Sequence, residues 1–239
     1  MTTHSPPVTF SVRAERALFT RPELRVERFT YPLPTYGALA GVLRSIYAKP
    51  SFFWVPTRVL IMKPIRYQNI MINEVKTTAI TKRPFVAPER RMQKMQTYLY
   101  DVHYLVEAHF KWSENQPEDR DLTKHLCIFE RSLDTGGRRD VFLGMRECTA
   151  IVEPLSKEIL KKPAKERFDA FMEIWNKDHQ GFNLNAGYMF HGWEWGTGTA
   201  GSDIPTFFNA QVIDSVLEYP RPDDYDKVIR QNFGRREAQ

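Results

Sequence analysis

The pattern of apolar and polar positions along the chain predicts alternating strands and helices. Residues 8–19 follow a two-residue period, and the run from Thr97 to Trp112 places an apolar or aromatic side chain at nearly every second position. After Pro34-Thr35 the apolar positions follow a helical spacing that ends before Pro50. A second helical stripe extends from Thr123 to Leu133. These patterns predict two long strands and two amphipathic helices.

Two further runs complete the order of elements in the first part of the chain. A segment rich in β-branched residues, from Arg58 to about Ile72, predicts the second strand, and Asp140 to Val152 predicts the strand after the second helix. The resulting order, β-α-β-β-α-β, is typical of the ferredoxin-like or RRM-like fold, whose open sheet commonly binds single-stranded RNA. We therefore predict an α+β protein with a ferredoxin-like N-terminal domain over residues 1–153.

The pattern changes after Pro154. Residues 161–177 have helical spacing, residues 187–195 are rich in aromatic side chains and glycine, and residues 204–219 have the pattern of a strand pair. These features predict a smaller C-terminal domain over residues 154–239, mainly β with an inserted helix.

Composition and charge narrow the classes of function. The 239 residues are 42% hydrophobic, enough for a core, and carry 34 Lys and Arg against 29 Asp and Glu. The net charge of +5 permits a polyanionic partner. Cys127 and Cys148 are too far apart for a Cys-x-x-Cys motif, and no stretch approaches the roughly 20 apolar residues of a membrane span. We expect a soluble, cytoplasmic protein without a metal, a cofactor or a membrane partner.

The segment between the second and third strands, about residues 75–96, is strongly basic. It carries six cations against the single acid Glu89, and such an excess of one sign favours contacts along a nucleic-acid backbone. A solvated, mobile hairpin tip is the alternative interpretation. We call this segment the basic arm, and its candidate RNA-binding residues are Lys82, Arg83, Arg90 and Arg91.

The candidate chemistry lies between residues 124 and 147. Lys124-His125 lies in the first turn of the second predicted helix, and Gly136-Gly137-Arg138-Arg139 follows that helix. Glycines let the backbone approach an anion, paired guanidiniums can bind phosphate oxygens, and histidine carries a proton near neutral pH. The pattern predicts a phosphate-handling site suited to RNA cleavage. A helix end with an ordinary glycine cap is the alternative.

Two acidic or histidine-containing clusters are weaker candidates. Asp101, His103, Glu107 and His109 share one face of the long predicted strand, but their separation along a strand favours a polar solvent face over a metal site. The acidic residues 118–121 stand ahead of the second helix, where the helix dipole alone favours negative charge.

Three groups of segments resemble the CRISPR-associated proteins of family five, type I-C, in the RAMP superfamily. They are residues 17–20 with 31–35, residues 45–50 with 62–65, and the run 131–148 that contains the glycine pair. The resemblance implies a metal-independent endoribonuclease. Such a protein would cut precursor CRISPR RNA at the base of the repeat stem-loop, leave the 5′ handle and remain with the other subunits of a surveillance complex. Residues 156–180 look like an insertion relative to this pattern.

By motif position, the resemblance places the catalytic trio on Tyr47, Lys124 and His125. His125 suits either proton role, and Lys124 suits stabilisation of the transition-state anion. Tyr47 could orient the 2′-hydroxyl or act as a phenolate whose pKa is lowered by nearby cations, while a place in the core is its alternative role. The trio requires the end of the first helix to lie beside the start of the second.

Two other functions remain open. The protein could keep the fold without the chemistry and only bind the 5′ handle beside neighbouring subunits. Alternatively, the net charge and the basic arm could serve non-specific binding to duplex DNA.

Overall fold

The computed structural model describes residues 4–24, 26–75, 91–114, 116–194, 204–221 and 229–230. In this part of the chain no helix is long and apolar enough to cross a membrane. The helices are α1 (Tyr36–Ile46), α2 (Leu122–Asp134), α3 (Lys157–Leu160) and α4 (Arg167–Asp178). The strands are β1 (Val8–Ala17), β2 (Phe52–Ile61), β3 (Tyr67–Val75), β4 (Arg91–Trp112), β5 (Ile151–Glu153), β6 (Leu184–Glu194), β7 (Ile204–Ile213), β8 (Val216–Glu218) and β9 (Ile229–Arg230).

The described strands form one antiparallel sheet in a mixed α and β protein. Its order is β5-β1-β4-β2-β8-β7-β6, with β3 paired to the first half of β4 and β9 paired to β7. The strand pair predicted over residues 204–219 is confirmed as β7 and β8, which join the C-terminal strands to β2. The β3 and β4 strands pair as far as Val75 and Arg91, and residues 76–90 of the basic arm lie outside the described residues.

Helices α1 and α2 cover one face of this sheet, where the main core lies. The Thr35 side chain caps α1 by accepting the Ala38 N–H, and Asp121 caps α2 by accepting the Lys124 N–H. The buried stripe of α1 packs on aromatic and aliphatic residues of β1, β2 and β4. Its members are Leu39, Val42, Leu43 and Ile46. Apolar burial on this face fixes where the two helices sit.

The segment after β5 covers the opposite face. Phe168 and Trp175 of α4 pack with Ile159 of α3 against Leu60 and Leu105 of the sheet. The helix predicted over residues 161–177 is confirmed in part, because a short 3₁₀ turn at Ala164–Glu166 precedes α4. Residues 156–180 therefore form a layer on the face of the sheet opposite α1 and α2.

Two predicted strands differ from the observed ones. The strand predicted from Arg58 to Ile72 is two strands, because Pro64 in the connection lacks the N–H that a continuous ladder needs. The strand predicted over residues 140–152 is wrong before Ile151. There the chain turns back at Gly144, whose φ is 87°, and the Leu143 N–H is donated to the Cys148 carbonyl.

The alternation of β1 and β4 shifts by one residue at Asp101. Val102 lies in the core, and so does Leu99, three residues away, while Tyr100 between them is exposed. Asp101 has a φ of 55°, a left-handed conformation that aspartate tolerates better than most residues. Its carboxylate accepts hydrogen bonds from Lys63 Nζ at 2.6 Å and from Arg66 at 2.8 Å. The single apolar face predicted for Tyr98 to Trp112 is therefore wrong on the N-terminal side of Asp101.

Candidate active site

Tyr47 and His125 meet where α1 ends and α2 begins. The Tyr47 hydroxyl lies 2.8 Å from His125 Nδ1, although the two residues are 78 positions apart. Tyr47 is the C-terminal cap residue of α1, and its carbonyl accepts the Trp54 indole N–H at 2.7 Å. His125 stands in the first turn of α2, after the cap residue Asp121. The predicted meeting of the two helix ends is confirmed.

The hydrogen bonds of His125 assign a role to each ring nitrogen. Nε2 lies 2.6 Å from the Asp119 carbonyl oxygen, which can only accept, so Nε2 carries the proton. Nδ1 is then free to accept the Tyr47 O–H. Three rings surround the imidazole, with centroid distances of 5.1 to 6.3 Å, and its exposed fraction is 0%. They belong to Phe52, Phe110 and Trp112.

Burial raises the pKa of the Tyr47 hydroxyl above its usual value, although the Arg138 guanidinium acts in the opposite direction. The expectation that cations lower this pKa is therefore wrong in its net direction. At neutral pH the Tyr47 hydroxyl keeps its proton and donates a hydrogen bond to His125 Nδ1.

Lys124 is exposed and lies beside Asp119. Its Nζ is 2.5 Å from Asp119 Oδ1, and Asp119 Oδ2 accepts the Ser51 hydroxyl at 3.1 Å. The hydrogen bond raises the pKa of Lys124 and lowers the pKa of Asp119, so both stay charged at neutral pH. Asp119 joins Lys124 to His125, yet nothing in the sequence distinguishes it from Glu118 and Asp121 beside it.

Arg138 lies over the tyrosine. Its guanidinium carbon is 4.8 Å from the centre of the Tyr47 ring, and its Nε donates to Ser132 Oγ at 3.1 Å. The Arg138 and Arg139 side chains are both exposed. Of the two arginines predicted to bind phosphate, Arg138 is therefore the one that contacts Tyr47.

The glycine pair caps the C-terminal end of α2. The Gly136 N–H is donated to the Leu133 carbonyl and the Gly137 N–H to the Ser132 carbonyl, as in a helix C-terminus with left-handed glycines. The Arg138 and Arg139 N–H groups are donated to the Ser45 carbonyl at the end of α1. All four N–H groups are therefore engaged within the protein, and RNA binding at the glycine pair stays a prediction. Their role is to lock the end of α2 onto the end of α1.

The basic arm is described only at its base. Lys82, Arg83 and Arg90 lie outside the described residues. Arg91, the first residue of β4, is exposed, while Lys94 is paired with Glu74 across the hairpin. The RNA contacts of the arm stay a prediction.

These contacts bring a hydroxyl, an imidazole and two cations together at one place. A hydroxyl and an imidazole are hydrogen-bonded, so a proton can move between them, and two exposed cations, Lys124 and Arg138, flank the pair. Within the described residues no group of three or more His, Cys, Asp or Glu side chains is placed to hold a metal ion.

Comparisons with known proteins show the family to which this chain belongs. The profile of the family described as CRISPR-associated protein (Cas_Cas5) matches residues 8–220. A CRISPR pre-crRNA endoribonuclease Cas5d of Mannheimia succiniciproducens is 28% identical over 230 residues, covering 89% of this chain and 94% of the relative. The protein of the same name from Thermus thermophilus is 30% identical, with coverage of 93% and 95%. The crystal structure of a CRISPR-associated protein superposes with a TM-score of 0.68 at 29% identity, covering 96% of this chain and 99% of the other.

Proposed function

Because this chain belongs to the Cas5d family of CRISPR-associated proteins, we propose that it is an endoribonuclease that processes precursor CRISPR RNA. The observation that carries the proposal is the unbroken chain of contacts from Tyr47 through His125 and Asp119 to Lys124. The Mannheimia and Thermus relatives are pre-crRNA endoribonucleases by name, and each is matched over nearly its whole length. The proposed cut is at the base of the repeat stem-loop and leaves the 5′ handle.

The proposed reaction is a metal-independent transesterification. The 2′-hydroxyl attacks the adjacent phosphorus and loses its proton, a 2′,3′-cyclic phosphate forms as the bond to the 5′-oxygen breaks, and the 5′-oxygen takes a proton from solvent water. Both nitrogens of His125 are engaged inside the protein, so the substrate proton reaches it through Tyr47. The tyrosine oxygen takes the proton of the 2′-hydroxyl as its own proton passes to Nδ1. The proton gained by the protein returns to solvent after the cut.

Positive charge for the phosphorane comes from the exposed cations. Lys124 is held charged by Asp119, and Arg138 lies over the Tyr47 ring, where a phosphate at the tyrosine hydroxyl would be within reach of its guanidinium. Arg138 covers the tyrosine before RNA arrives. Because Tyr47 is buried, the substrate reaches its hydroxyl only if the side chains that cover the tyrosine, Arg138 among them, move.

The fold proposed for the catalytic part is ferredoxin-like. The sheet order β5-β1-β4-β2, with α1 and α2 on one face, supports that assignment. The boundary at residue 153 stays a prediction. We also propose that the protein stays bound to the guide as a subunit of a type I-C surveillance complex in the cytoplasm, where the free thiols of Cys127 and Cys148 would remain reduced.

We expect the repeat RNA to be cut in EDTA and to leave a 2′,3′-cyclic phosphate on the upstream fragment. A repeat with one 2′-deoxy substitution at the cleaved nucleotide should bind with unchanged affinity and stay intact, because the attacking hydroxyl is gone. Gel analysis of end-labelled RNA and mass spectrometry of the fragments would measure both. A strict requirement for Mg²⁺, or cleavage of the 2′-deoxy substrate at the same bond, would refute this mechanism.

The burial of Tyr47 and His125 favours one alternative, a subunit that binds the 5′ handle without cutting. In that case the buried pair only joins the two helix ends. The same gel assay separates the two functions, since a binding subunit would retain the repeat RNA and leave it intact. Duplex-DNA binding stays a prediction that a competition experiment with unlabelled DNA would test.

Arg138→Ala and Arg139→Ala form a matched pair that separates binding from catalysis. Both side chains are exposed, but only Arg138 lies over Tyr47. Each change should weaken repeat binding and reduce the salt slope by about 0.7–0.9 for each phosphate that the variant no longer neutralises. Only Arg138→Ala should also slow cleavage at saturating RNA. Equal rates for the two variants in single-turnover measurements would place Arg138 outside the reacting centre.

A further inference from the structure

A band of aromatic side chains crosses the molecule on the same face as α1. The Phe29 and Tyr67 rings lie 5.9 Å apart, and Arg21 stands over both Phe29 and Tyr31, at 5.6 and 5.1 Å. The Tyr31 hydroxyl is hydrogen-bonded to the Phe190 backbone, and the Phe190 ring lies 5.6 Å from Trp193. We call these six residues the aromatic band.

Three rings of the band are open to solvent. The exposed fractions are 37% for Phe29, 48% for Tyr67 and 43% for Trp193, values that are unusual for large rings in a folded protein. The other aromatic members, Tyr31 and Phe190, are buried or half-buried and connect the exposed rings to the core. The core therefore holds the exposed rings in place, so little conformational freedom is lost when a ligand stacks on them.

The positive charge of Arg21 is weakly compensated. Its nearest acid within the described residues is Glu23, at 3.9 Å, and that carboxylate is 59% exposed. The Arg21 Nε is buried and has no hydrogen-bond partner in the described part of the chain. The guanidinium of Arg21 is positioned mainly by the aromatic rings and only weakly by a carboxylate. The aromatic band therefore presents a positive charge beside its rings.

Helix α1 connects the aromatic band to the proposed active site. Tyr36, the first residue of α1, stacks on His191 at 4.3 Å, next to Phe190 of the band. Tyr47 lies at the other end of the same helix, about 16 Å away for eleven residues. A short single-stranded RNA segment can cover that distance.

We propose that the aromatic band is a stacking surface for the unpaired nucleotides that flank the repeat stem-loop. Bases would stack on Phe29, Tyr67 and Trp193, and Arg21 would contact the backbone between them. The inference rests on the proposed endoribonuclease function and adds where the single-stranded part of the substrate lies.

The chemistry of the band favours RNA over a protein partner. Exposed rings with a weakly compensated guanidinium between them match a chain that alternates flat bases and phosphates. A protein interface also enriches aromatic and arginine side chains, but its centre is a closely packed apolar cluster. Here the exposed rings are interrupted by Arg21 and by half-buried residues.

The test measures binding of a non-cleavable repeat RNA with a 2′-deoxy nucleotide at the cut site, once with normal flanks and once with abasic flanks. Abasic flanks keep the phosphates and remove the bases. The wild-type protein should bind the abasic RNA about 5- to 100-fold more weakly, as expected for loss of base stacking. Tyr67→Ala and Trp193→Ala should each lose affinity for the normal RNA and show a smaller difference between the two RNAs.

The hairpin provides a matched control. Tyr100 is 38% exposed and has Arg66 6.0 Å from its ring centre, but it lies on the opposite face of the same hairpin from Tyr67. Tyr100→Ala should leave the difference between the two RNAs unchanged, and Tyr67→Phe should restore the affinity that Tyr67→Ala loses. Equal affinity of the wild type for normal and abasic RNA would overturn the inference.

Loss of assembly with other subunits in Tyr67→Ala, with RNA binding unchanged, would assign the band to a protein partner and would also overturn it. Because the RNA in this test cannot be cut, the result does not depend on cleavage. If the band binds the flanks but the protein never cuts the repeat, the proposed enzyme function is rejected and the stacking role of the aromatic band is supported. If the protein cuts the repeat but abasic flanks bind equally well, the stacking role is rejected and the enzyme function is supported.

Discussion

His125→Ala is expected to lower the rate of repeat cleavage by about 10²-fold or more, with RNA affinity largely kept. The imidazole is the only proton acceptor bonded to the Tyr47 hydroxyl among the described residues, so its removal ends the proposed relay. Because the ring is fully buried, the variant should also be less stable, since it leaves a cavity and two unpaired polar groups. Single-turnover rates at a temperature where circular dichroism shows a folded protein would separate the two effects.

Tyr47→Phe removes only the hydroxyl and gives the cleaner comparison. It should also slow cleavage by about 10²-fold, and the double variant should lose less than the two single losses combined, because parts of one unit are not additive. His179→Ala is a suitable control. That histidine stacks on Trp175 at 4.7 Å, in the layer behind the sheet, and its loss should leave the rate unchanged. A fully active Tyr47→Phe variant would return the tyrosine to a structural role.

Gly144→Ala is expected to destabilise the protein by roughly 2–6 kcal/mol, more than a change to alanine at any other described glycine with a positive φ. A Cβ at this position would lie 2.0 Å from the Leu18 carbonyl oxygen, and the φ of 87° is unfavourable for any residue with a Cβ. The Leu18 N–H is donated to the neighbouring Leu143 carbonyl, so the clash would separate the loop from the end of β1. Thermal or urea unfolding would measure the change in the free energy of unfolding.

Gly136→Ala provides the matched control. Its φ is 82°, nearly the same as that of Gly144, but no atom outside its immediate neighbours lies within 4 Å of a Cβ there. This variant should lose only the backbone preference, about 1–2 kcal/mol. If the two variants were equally stable, the close approach to Leu18 would not matter for folding.

Periodicity predicted the elements that depend on burial. The helices α1 and α2 and the strands β1 and β4 were predictable, because apolar residues on one face must meet the core. The predictions failed where one residue redirects the chain. Pro64 divides a run that looks continuous, and Gly144 turns back a segment whose apolar residues, such as Leu143, are buried without forming a strand.

The site was predictable by residue type and only partly by role. Family resemblance selected Tyr47, Lys124 and His125, and the fold brings them into one network. Asp119 was missed because its role depends on a turn that aims its carbonyl at His125 and its carboxylate at Lys124. Such a turn leaves no periodic signal. Sequence alone also cannot show that the backbone N–H groups of the glycine pair are donated within the protein.

The left-handed residue in β4 determines on which side of the molecule RNA would run. Tyr67 pairs with Leu99, so both side chains project from the same surface of the hairpin. Without the shift at Asp101, Tyr100 would face the core together with Val102, and Leu99 would face the other side. Tyr67, which pairs with Leu99, would then project toward the layer formed by α4. The left-handed φ of Asp101 therefore reverses which residues of β4 face the core on its two sides, and with them the faces of β3. Inserting or deleting a single residue there would turn Tyr67 to the opposite face of the sheet, away from the rings with which it would bind RNA.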